Sequence, residues 1–275
     1  MRPSALRRSD NPNMPSPLTS ATPAEPATPS PPGLRPHQPL PAYYGDEADH
    51  QRFLRHIFDD TAADYERIER VLAFGSGPSY RRQALLRAGL APGMQVLDVG
   101  IGTGLVAREA MRLIGAGGEV VGVDPSAGMM AQVHLPGIRL VQGRAEALPL
   151  DNASADFLSM GYALRHISDV DAALAEFWRV LRPGGRVMML EITRPAGRLA
   201  TAALKGYMRM VVPVIARLVS RQTDTSRLWR YYWDTIEACI APPTVLEAMR
   251  RAGFAQAQRH VELGMFSEYT AQKPA

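Results

Sequence analysis

The sequence predicts an α/β protein in which helices cross between the strands of a sheet. Beyond residue 46, short apolar runs alternate with helix-like segments, and no repeated unit interrupts them. The first of these runs leads into VLDVGIGTGLVA at residues 96 to 107, where three glycines follow an aspartate at alternate positions. These features indicate a globular α/β domain with a glycine-rich loop after its first strand.

The first 42 residues differ in composition from the rest. They contain 12 of the 23 prolines, interspersed with Ser, Thr and Ala. Such a stretch buries too little apolar surface to offset the entropy of ordering it. We therefore predict a disordered tail over 1–42 and one folded domain over 43–275.

Charge and cysteine content limit the function classes. Of the formal net charge of +4, the tail supplies +2 through four arginines against Asp10 and Glu25, so the domain carries only +2. That excess is too small to indicate a nucleic-acid-binding surface. Cys239 is the single cysteine, which excludes an internal disulfide and a cysteine-based metal cluster. No apolar run approaches the ~18 residues of a membrane span, so we expect a cytoplasmic protein with at most peripheral membrane contact.

The apolar runs place the strands, and the periodic segments between them place the helices. Strands are predicted over 94–100, 119–124, 138–143, 156–161 and 186–193, with two further candidates near 257–263 and 266–272. Helices are predicted over 46–58 and 80–90, through most of 196–240, and from about 242 to 253.

The helix over 168–185 has the clearest signals. Ser168 and Asp171 form a candidate capping box, and Pro183 with the two glycines after it is expected to end the helix. Trp178 is expected to pack in the core. One apolar face is formed by Val170, Leu174, Phe177 and Leu181.

The glycine-rich loop departs from two common nucleotide-binding patterns. A P-loop requires Gly-Lys-Ser/Thr, whereas Leu105 follows Gly104; the dinucleotide pattern G-x-G-x-x-G also fails at Leu105. What remains is D-x-G-x-G-x-G, beginning at Asp98. A carboxylate inside the strand suits a cationic ligand such as S-adenosylmethionine better than a pyrophosphate. A tight turn without a ligand is the alternative.

Asp124 ends the second predicted strand, 20 residues after Gly104. A carboxylate there can accept hydrogen bonds from both ribose hydroxyls. NAD would use the same carboxylate, so Asp124 supports a ribose without choosing the cofactor.

Three further segments carry a family resemblance together with the loop and Asp124. They are GRAEALPL (143–150), YALRHISD (162–169) and LRPGGRVMMLEITRP (181–195). From about residue 50 to the C-terminus, the chain resembles class I S-adenosylmethionine-dependent methyltransferases, and more narrowly the ubiquinone/menaquinone biosynthesis C-methyltransferase family. The resemblance implies a Rossmann-like fold with seven strands, mostly parallel with an antiparallel last pair, and helices on both faces.

The resemblance also implies the cofactor site. The methionine portion would lie beside Asp98, Gly100, Gly102, Thr103 and Gly104, the ribose on Asp124, and the adenine near Arg144, Ala145 and Glu146. Gly161 is a further candidate cofactor-binding residue. Many relatives have Asp or Asn where this chain has Arg144, and Ser where it has Gly161. The contact to the adenine amino group would then pass to Glu146 or be lost.

Arg165 and His166 are the candidate catalytic residues. Arg165 fits the family arginine near the acceptor, and His166 stands where relatives have asparagine. A ring carbon accepts a methyl group when the phenol is phenolate-like; an imidazole with a pKa near ~6.5 can take the proton, and a guanidinium can stabilise the oxyanion. In the structural alternative, Arg165 pairs with a local acid and His166 caps a helix or turn.

Segment 204–221 carries basic residues at multiples of four, with apolar residues between them: Lys205, Arg209, Arg217 and Arg221. It is either a peripheral contact to a membrane that holds a lipid-tailed acceptor or a lid helix kinked at Pro213. We predict no metal site, because His50 and His56 are six residues apart on a helix and face different sides.

Together these features predict an S-adenosylmethionine-dependent methyltransferase of a small or lipid-linked aromatic acceptor, with carbon methylation of a quinol preferred. A small-molecule O-methyltransferase, a catalytically silent cofactor-binding scaffold and, less favoured, an NAD-dependent oxidoreductase are the alternatives. Nucleic-acid amino-methyltransferases are disfavoured because residues 160–163 read Met-Gly-Tyr-Ala where those enzymes have Asn/Asp-Pro-Pro-Tyr/Phe.

Overall fold

A computed structural model describes residues 33–72, 75–219 and 225–275, which contain one seven-stranded sheet. The strand order is β3-β2-β1-β4-β5-β7-β6. The strands are β1 (Gln95–Val99), β2 (Glu119–Asp124), β3 (Arg139–Gln142), β4 (Ala155–Gly161), β5 (Leu181–Ile192), β6 (Ala255–Glu262) and β7 (Phe266–Gln272). The first five are parallel, whereas β7 runs antiparallel to both β5 and β6, so the predicted fold class is confirmed.

The strand order reverses between β1 and β4. From β1 the chain proceeds to β2 and β3 on one side, and then returns to add β4 and β5 on the other. In an open α/β sheet this reversal leaves a crevice beyond the carboxyl ends of the strands, which is where ligands bind. The glycine-rich loop leaves β1 at this point.

The helices cover both faces of the sheet and the edge above the crevice. They are α1 (Glu47–Leu72), α2 (Gly77–Arg87), α3 (Leu105–Ile114), α4 (Ala127–Met130), α5 (Val170–Val180), α6 (Arg198–Gly206), α7 (Val212–Val219), α8 (Thr225–Ala238) and α9 (Pro242–Arg251). A π-helical turn, Tyr207–Val211, joins α6 to α7 just before Pro213. α1 extends well beyond the predicted 46–58.

Side chains that alternate along the strands form two apolar clusters, one on each face of the sheet. On β1, Val96 packs with the helices on one face, whereas Leu97 and Val99 pack with those on the other, because successive side chains of a strand point to opposite faces. A third apolar cluster lies among α1, α7 and α8 and includes Met208, Val212, Tyr231 and Trp233. This cluster forms a wall above the crevice.

Three details of α5 differ from prediction. The cap is Asp169, whose carboxylate accepts a 3.1 Å hydrogen bond from the Ala172 amide, so the proposed box of Ser168 and Asp171 is wrong. The helix ends at Val180, before the Pro-Gly-Gly turn, because the chain is already pairing with β4 from residue 181. Trp178 is 40% exposed, with the Lys273 ammonium 3.8 Å from its ring centroid, and is not a core residue.

Residues 33–42, predicted as part of the disordered tail, lie against the domain. His37 is buried, and its Nε2 lies 3.0 Å from the Arg165 carbonyl oxygen. The Ile240 amide donates to the Pro36 carbonyl at 2.7 Å. The predicted tail boundary is therefore too late for these residues, while the remainder of the tail, 1–32, lies outside the described residues.

α6, the π-helical turn and α7 form one helical stretch over Arg198–Leu218. Its most apolar 18-residue window has a mean hydropathy of 1.3, and only 17% of that window is buried. By length and composition the stretch is apolar enough to cross a membrane, a test that core helices of soluble proteins also pass. The expectation that no segment reaches this threshold is therefore wrong.

Candidate active site

The crevice at the carboxyl edge of the sheet encloses a cavity of about 320 Å³. Its walls come from the ends of β1, β2 and β4 and from α1, the α6–α7 stretch and α8. The predicted site residues that line it are Gly100, Gly102, Thr103, Asp124, Arg144, Ala145, Glu146, Gly161, Arg165 and His166. Asp98 and Gly104 do not reach its surface.

The glycine-rich loop is held in place by hydrogen bonds to β2. The Gly100 amide donates to the Val123 carbonyl at 2.8 Å, and the Gly102 amide donates to Asp124 Oδ2 at 2.8 Å. Both glycines have positive φ, 67° and 55°. A Cβ at Gly100 would lie 2.7 Å from the Ala163 Cβ, whereas a Cβ at Gly102 would meet nothing within 4 Å. The loop therefore packs closely on one side and is open on the other.

Asp98 has one carboxylate oxygen in use and one without a partner. Its Oδ1 accepts a 2.7 Å hydrogen bond from Ser159 Oγ, while its buried Oδ2 and the nearby Thr103 Oγ1 have no partner among the described residues. Burial raises the pKa of Asp98 from 3.8 to about 7, against the lowering effect of the Ser159 hydrogen bond. Unpaired buried polar atoms cost free energy unless a ligand satisfies them, so this end of the cavity fits a cationic group.

Asp124 is oriented by the backbone around it. Its two oxygens accept 2.8 Å hydrogen bonds from the amides of Gly102 and Ser126. Burial raises the pKa of Asp124 from 3.8 to about 6, against these two bonds. Its carboxylate lines the cavity at the end of β2 and retains lone pairs for ribose hydroxyls.

The loop after β3 contacts the loop after β4. Arg144 Nη2 donates to Ser168 Oγ at 3.1 Å, and Glu146 Oε1 accepts from the Ser168 amide at 2.5 Å. Ser168 Oγ in turn donates to Glu47 of α1. Ala145 lies buried in this loop. Ser168 therefore lines the cavity and is held by Glu47, although the sequence indicated only a helix cap for Ser168 and no role for Glu47.

The end of β4 is tightly packed. A Cβ at Gly161 would lie 2.7 Å from Val106 Cγ2, so the serine of many relatives would need a local shift here. Tyr162 follows with a positive φ of 60°, which is unfavourable for a non-glycine residue. Its amide donates to the Leu190 carbonyl at 2.8 Å, and its carbonyl accepts from Arg165 Nη1 at 3.0 Å. These bonds hold Tyr162 in the strained conformation.

Arg165 is fully buried and pairs through Nη1 with Glu191 of β5. Its Cζ lies 4.5 Å from the centroid of the Tyr232 ring, a cation–π contact. Its Nε and Nη2 have no partner among the described residues. Arg165 thus makes the local ion pair of the structural alternative and still has donors available at the cavity.

His166 lies between Tyr231 and Phe58. Its ring stacks on Tyr231 with centroids 5.5 Å apart, and its Nδ1 lies 3.3 Å from the Tyr231 hydroxyl. Burial, and then the charge of Arg165, lower the pKa of His166 well below the usual 6.5. The ordinary pKa expected from the sequence is therefore wrong, and the imidazole is neutral at physiological pH. Its Nε2 is buried without a partner.

Other cavity residues were not indicated by the sequence. Tyr65 of α1 shares a 2.9 Å hydrogen bond with the Tyr232 hydroxyl, and Arg81 of α2 lies 2.5 Å from Glu69 of α1. Their helices precede the sheet in sequence, and no short motif identifies them. In the part of the chain that the structure describes, no group of three or more His, Cys, Asp or Glu side chains could hold a metal ion.

Comparison with known sequences identifies similar proteins. The model of the ubiE/COQ5 methyltransferase family matches residues 46–273. The ubiquinone/menaquinone biosynthesis C-methyltransferase UbiE of Hahella chejuensis is 32% identical over 206 residues, which cover 72% of this chain and 81% of that protein. The protein of the same name from Pseudoalteromonas translucida is 29% identical over 218 residues, with 76% and 86% covered.

Solved structures share the fold. A possible histamine N-methyltransferase of Thermotoga maritima is 22% identical with a TM-score of 0.57, covering 79% of this chain and 99% of that one. Phosphoethanolamine N-methyltransferase 2 of Haemonchus contortus, in complex with S-adenosyl-L-methionine, is 16% identical with a TM-score of 0.59; 82% and 60% of the two chains are covered. At these identities the likeness concerns the fold alone.

Proposed function

Because this chain belongs to the ubiE/COQ5 methyltransferase family, we propose that it methylates a ring carbon of a lipid-tailed quinol. The chain is a methyltransferase, and its cofactor is S-adenosylmethionine. The observation that carries the proposal is the position of Arg165 and His166, whose unpartnered nitrogens line the same cavity as the glycine-rich loop.

The residues at the β1 and β2 ends fit this cofactor. Asp98 is buried behind the cavity lining, and we assign the ammonium group to its unpartnered Oδ2. We assign the ribose hydroxyls to Asp124 and place the methionine portion beside Gly100, Gly102 and Thr103, which line the cavity, with Gly104 behind them. Arg144, Ala145 and Glu146 lie where the adenine is expected. When bound, the sulfonium supplies an electrophilic methyl group. The protein's task is then to hold the acceptor in line and to manage the charge that develops on it.

We assign acceptor activation to Arg165 and His166. With the Nδ1 proton directed at Tyr231, the His166 Nε2 is free to accept a hydrogen bond from the acceptor hydroxyl. Arg165 cannot be deprotonated in a protein and presents Nε and Nη2 to the oxygen that becomes negative. The charge of Arg165 lowers the cost of forming the phenolate, and its effect is strong because the guanidinium is fully buried. The neutral His166 can therefore accept the proton, while the permanently charged Arg165 stabilises the anion.

Carbon methylation of a tailed ring is supported by the names of the relatives and by the apolar walls of the cavity. The relatives of Hahella and Pseudoalteromonas are named C-methyltransferases of quinone biosynthesis. The cavity lining is mostly apolar and includes Leu54, Phe58, Leu204 and Met208. A small-molecule O-methyltransferase would use the same base and cation, so the methylated atom is decided by experiment.

We further propose that the α6–α7 stretch rests on a membrane surface. Met210, Val214 and Leu218 are spaced by four residues and are 68%, 57% and 80% exposed. Leu204 and Met208 of the same stretch line the cavity. A helix with one face on the cavity and the other exposed and apolar could pass a lipid tail between membrane and site.

Only some of the basic and apolar residues of this stretch are exposed, contrary to the sequence-based expectation. Lys205 and Arg209 pair with Glu237 and Asp234 of α8, at 2.7 and 2.6 Å. Arg217 is exposed beside Leu218, and Arg221 lies outside the described residues. Met208 and Val212, two of the apolar residues that lie between the basic ones, are buried. Lipid contact is therefore assigned to Met210, Val214 and Leu218.

Turnover with a labelled methyl donor tests the proposed function. We expect transfer to a quinol with an isoprenoid tail and a free ring carbon, but not to the same quinol with that carbon substituted. Carbon-13 NMR of the product would distinguish a ring methyl from a methoxy group. Methoxy product from both quinols would overturn carbon methylation. Tight binding of S-adenosylhomocysteine with no turnover on any quinol would support the scaffold alternative.

Two single substitutions test the catalytic assignment. Arg165→Lys keeps the charge opposite Glu191 but loses the remaining guanidinium donors, and His166→Ala removes Nε2. Each is expected to lower turnover by about 10²-fold or more, with S-adenosylhomocysteine affinity unchanged. His260→Ala, on β6, is the matched control because that side chain is half exposed. Near-wild-type turnover in both test variants would refute the assignment.

A further inference from the structure

α1 crosses the carboxyl edge of the sheet and contacts successive parts of the cofactor site in order. Near its start Glu47 bonds to Ser168, at the adenine end. In its middle Asp59 accepts from the Gly128 amide at 2.9 Å, just beyond the ribose-binding end of β2. Near its end Glu66 pairs with Arg108, in the first turn of α3 after the glycine-rich loop, at 3.0 Å. Successive turns of α1 therefore contact, in order, the elements to which the adenine, the ribose and the methionine portion are assigned.

Arg81 lies at the methionine end of this series. It pairs at 2.5 Å with Glu69, one turn beyond Glu66 on α1. Arg81 is 3% exposed and lines the cavity. Its Nε is buried and has no partner among the described residues. A buried guanidinium with an unused donor at a cavity wall is suited to bind an anionic group.

Gly77, at the start of α2, makes room for this ion pair. A Cβ at residue 77 would lie 2.7 Å from Arg81 Nη1 and 2.7 Å from Glu69 Oε1. A larger residue would displace both charged groups. The absence of a side chain at Gly77 thus permits the guanidinium to stay beside the carboxylate, with Nε left unused.

The cofactor carries one anionic group, the α-carboxylate next to its ammonium group, and neither the loop nor Asp98 offers a cation for it. Four arginines line the cavity in the described residues. Arg144 is bonded to Ser168 at the adenine end, Arg165 is paired with Glu191, and Arg55 is exposed one turn before Asp59. Arg81 is also a cation whose charge lowers the pKa of Asp98, which indicates that the two side chains are near each other.

We propose that Arg81 binds the α-carboxylate of the cofactor's methionine portion, with Glu69 positioning the guanidinium. Asp98 and Arg81 then form a matched pair of charges for the ammonium and carboxylate groups. This inference depends on the cofactor alone and is independent of which acceptor is methylated. It adds a binding residue from α2, outside the glycine-rich loop.

Calorimetric titration of the full chain with two ligands tests the proposal. S-adenosylhomocysteine has the carboxylate, whereas decarboxylated S-adenosylhomocysteine lacks only that group. We expect wild type to prefer the first ligand by about tenfold to a hundredfold, the effect of a charge-assisted hydrogen bond. Equal affinity for the two ligands would overturn the proposal.

Arg81→Gln assigns the preference to this residue. We expect it to bind the decarboxylated ligand as wild type does, which also shows that the variant is folded, and to lose the preference for the carboxylate. Arg82→Gln, the exposed neighbour on α2, is expected to retain the wild-type preference. If Arg81→Gln is unstable because Glu69 is left unpaired, Glu69→Gln with Arg81→Gln removes both charges and serves the same comparison. If either Arg81 variant still preferred S-adenosylhomocysteine over the decarboxylated ligand, the proposal would be refuted. That outcome is expected if Arg81 binds the methyl acceptor and not the cofactor.

Discussion

Ser159 of β4 donates a 2.7 Å hydrogen bond to Asp98 of β1, and the two residues are register partners in the sheet. The bond fixes the carboxyl group and leaves Oδ2 buried without a partner. Burial places the pKa of Asp98 near 7, so the cofactor-free protein holds a proton there at mildly acidic pH. A ligand ammonium group favours the carboxylate, so binding must expel that proton.

Cofactor affinity should therefore rise with pH. Because the pKa of Asp98 in the free protein is about 7 and that of Asp124 about 6, both carboxyls are protonated below pH 6 and ionised above pH 8. We expect S-adenosylhomocysteine affinity to increase by up to about tenfold per pH unit for each proton released, levelling above about pH 8. Titration in buffers of different ionisation enthalpy measures the released protons directly.

The raised pKa of Asp98 makes the ligand-free protein less stable as pH rises, although it makes cofactor binding tighter. Because the folded-state pKa of Asp98 lies above its ordinary 3.8, the folded protein binds this proton more tightly than the unfolded chain does. The contribution of Asp98 to stability is present below pH 4 and is lost as pH rises through 7. Asp98→Asn should remove this contribution and flatten the pH dependence of binding. A pH-independent affinity in wild type would contradict the assignment.

Asp124→Asn is expected to lower S-adenosylhomocysteine affinity by more than tenfold. The amide retains one acceptor oxygen, so it cannot receive the Gly102 and Ser126 amides on separate oxygens, and the charge toward the ribose is lost. Calorimetric titration measures the effect, with Asp156→Asn as control, because Asp156 bonds to the Gln95 amide at the opposite end of β1. Equal losses in the two variants would indicate a general effect on the sheet.

Arg165→Met should destabilise the fold, because it leaves Glu191 buried without its partner. Breaking a buried ion pair typically costs about 3–5 kcal/mol. Urea unfolding should show this loss in the single variant and a smaller loss when Glu191→Leu is added. A single variant as stable as wild type would show that the pair does not contribute in the way proposed.

Membrane association should depend on the exposed apolar residues of the α6–α7 stretch. Replacing Met210, Val214 and Leu218 by serine should reduce flotation with anionic phosphatidylglycerol-containing vesicles by at least about tenfold, since burying each side chain contributes about 1.5–3 kcal/mol. Leu263→Ser is the control, because Leu263 is 77% exposed but lies in the β6–β7 turn. Equal flotation of all three proteins, or none, would refute the membrane contact.

Residues 33–44 should be required for stability, whereas residues 1–32 should not. The segment supplies the Tyr43 hydroxyl bond to Asp234 at 2.7 Å and the buried side chains of His37 and Tyr44. A chain that lacks residues 1–32 is expected to have the same Tm as the full chain. A chain that lacks residues 1–44 is expected to have a Tm about 5 °C or more lower. Identical Tm values for the two shortened chains would show that the packing of this segment contributes little.

The sequence by itself determined the sheet and the loop at its centre. Strand positions follow from local apolar runs, and the D-x-G-x-G-x-G pattern is a local requirement for tight turns with positive φ at Gly100 and Gly102. Each of these patterns spans only a few consecutive residues, so it can be recognised without knowing the tertiary structure. The carboxylate in that pattern already favoured a cationic cofactor, whereas the antiparallel pairing of β6 with β7 was implied only by the resemblance.

Only the tertiary structure decided which distant residues complete the site. Arg81 and Glu69 lie on helices before the sheet, and His37 in a segment with the composition of a tail, yet each contacts the crevice or the loop after β4. The pKa of His166 also could not be read from the sequence, because it depends on burial and on the nearby guanidinium of Arg165. Burial and charge act through space, so residue order along the chain does not encode them locally.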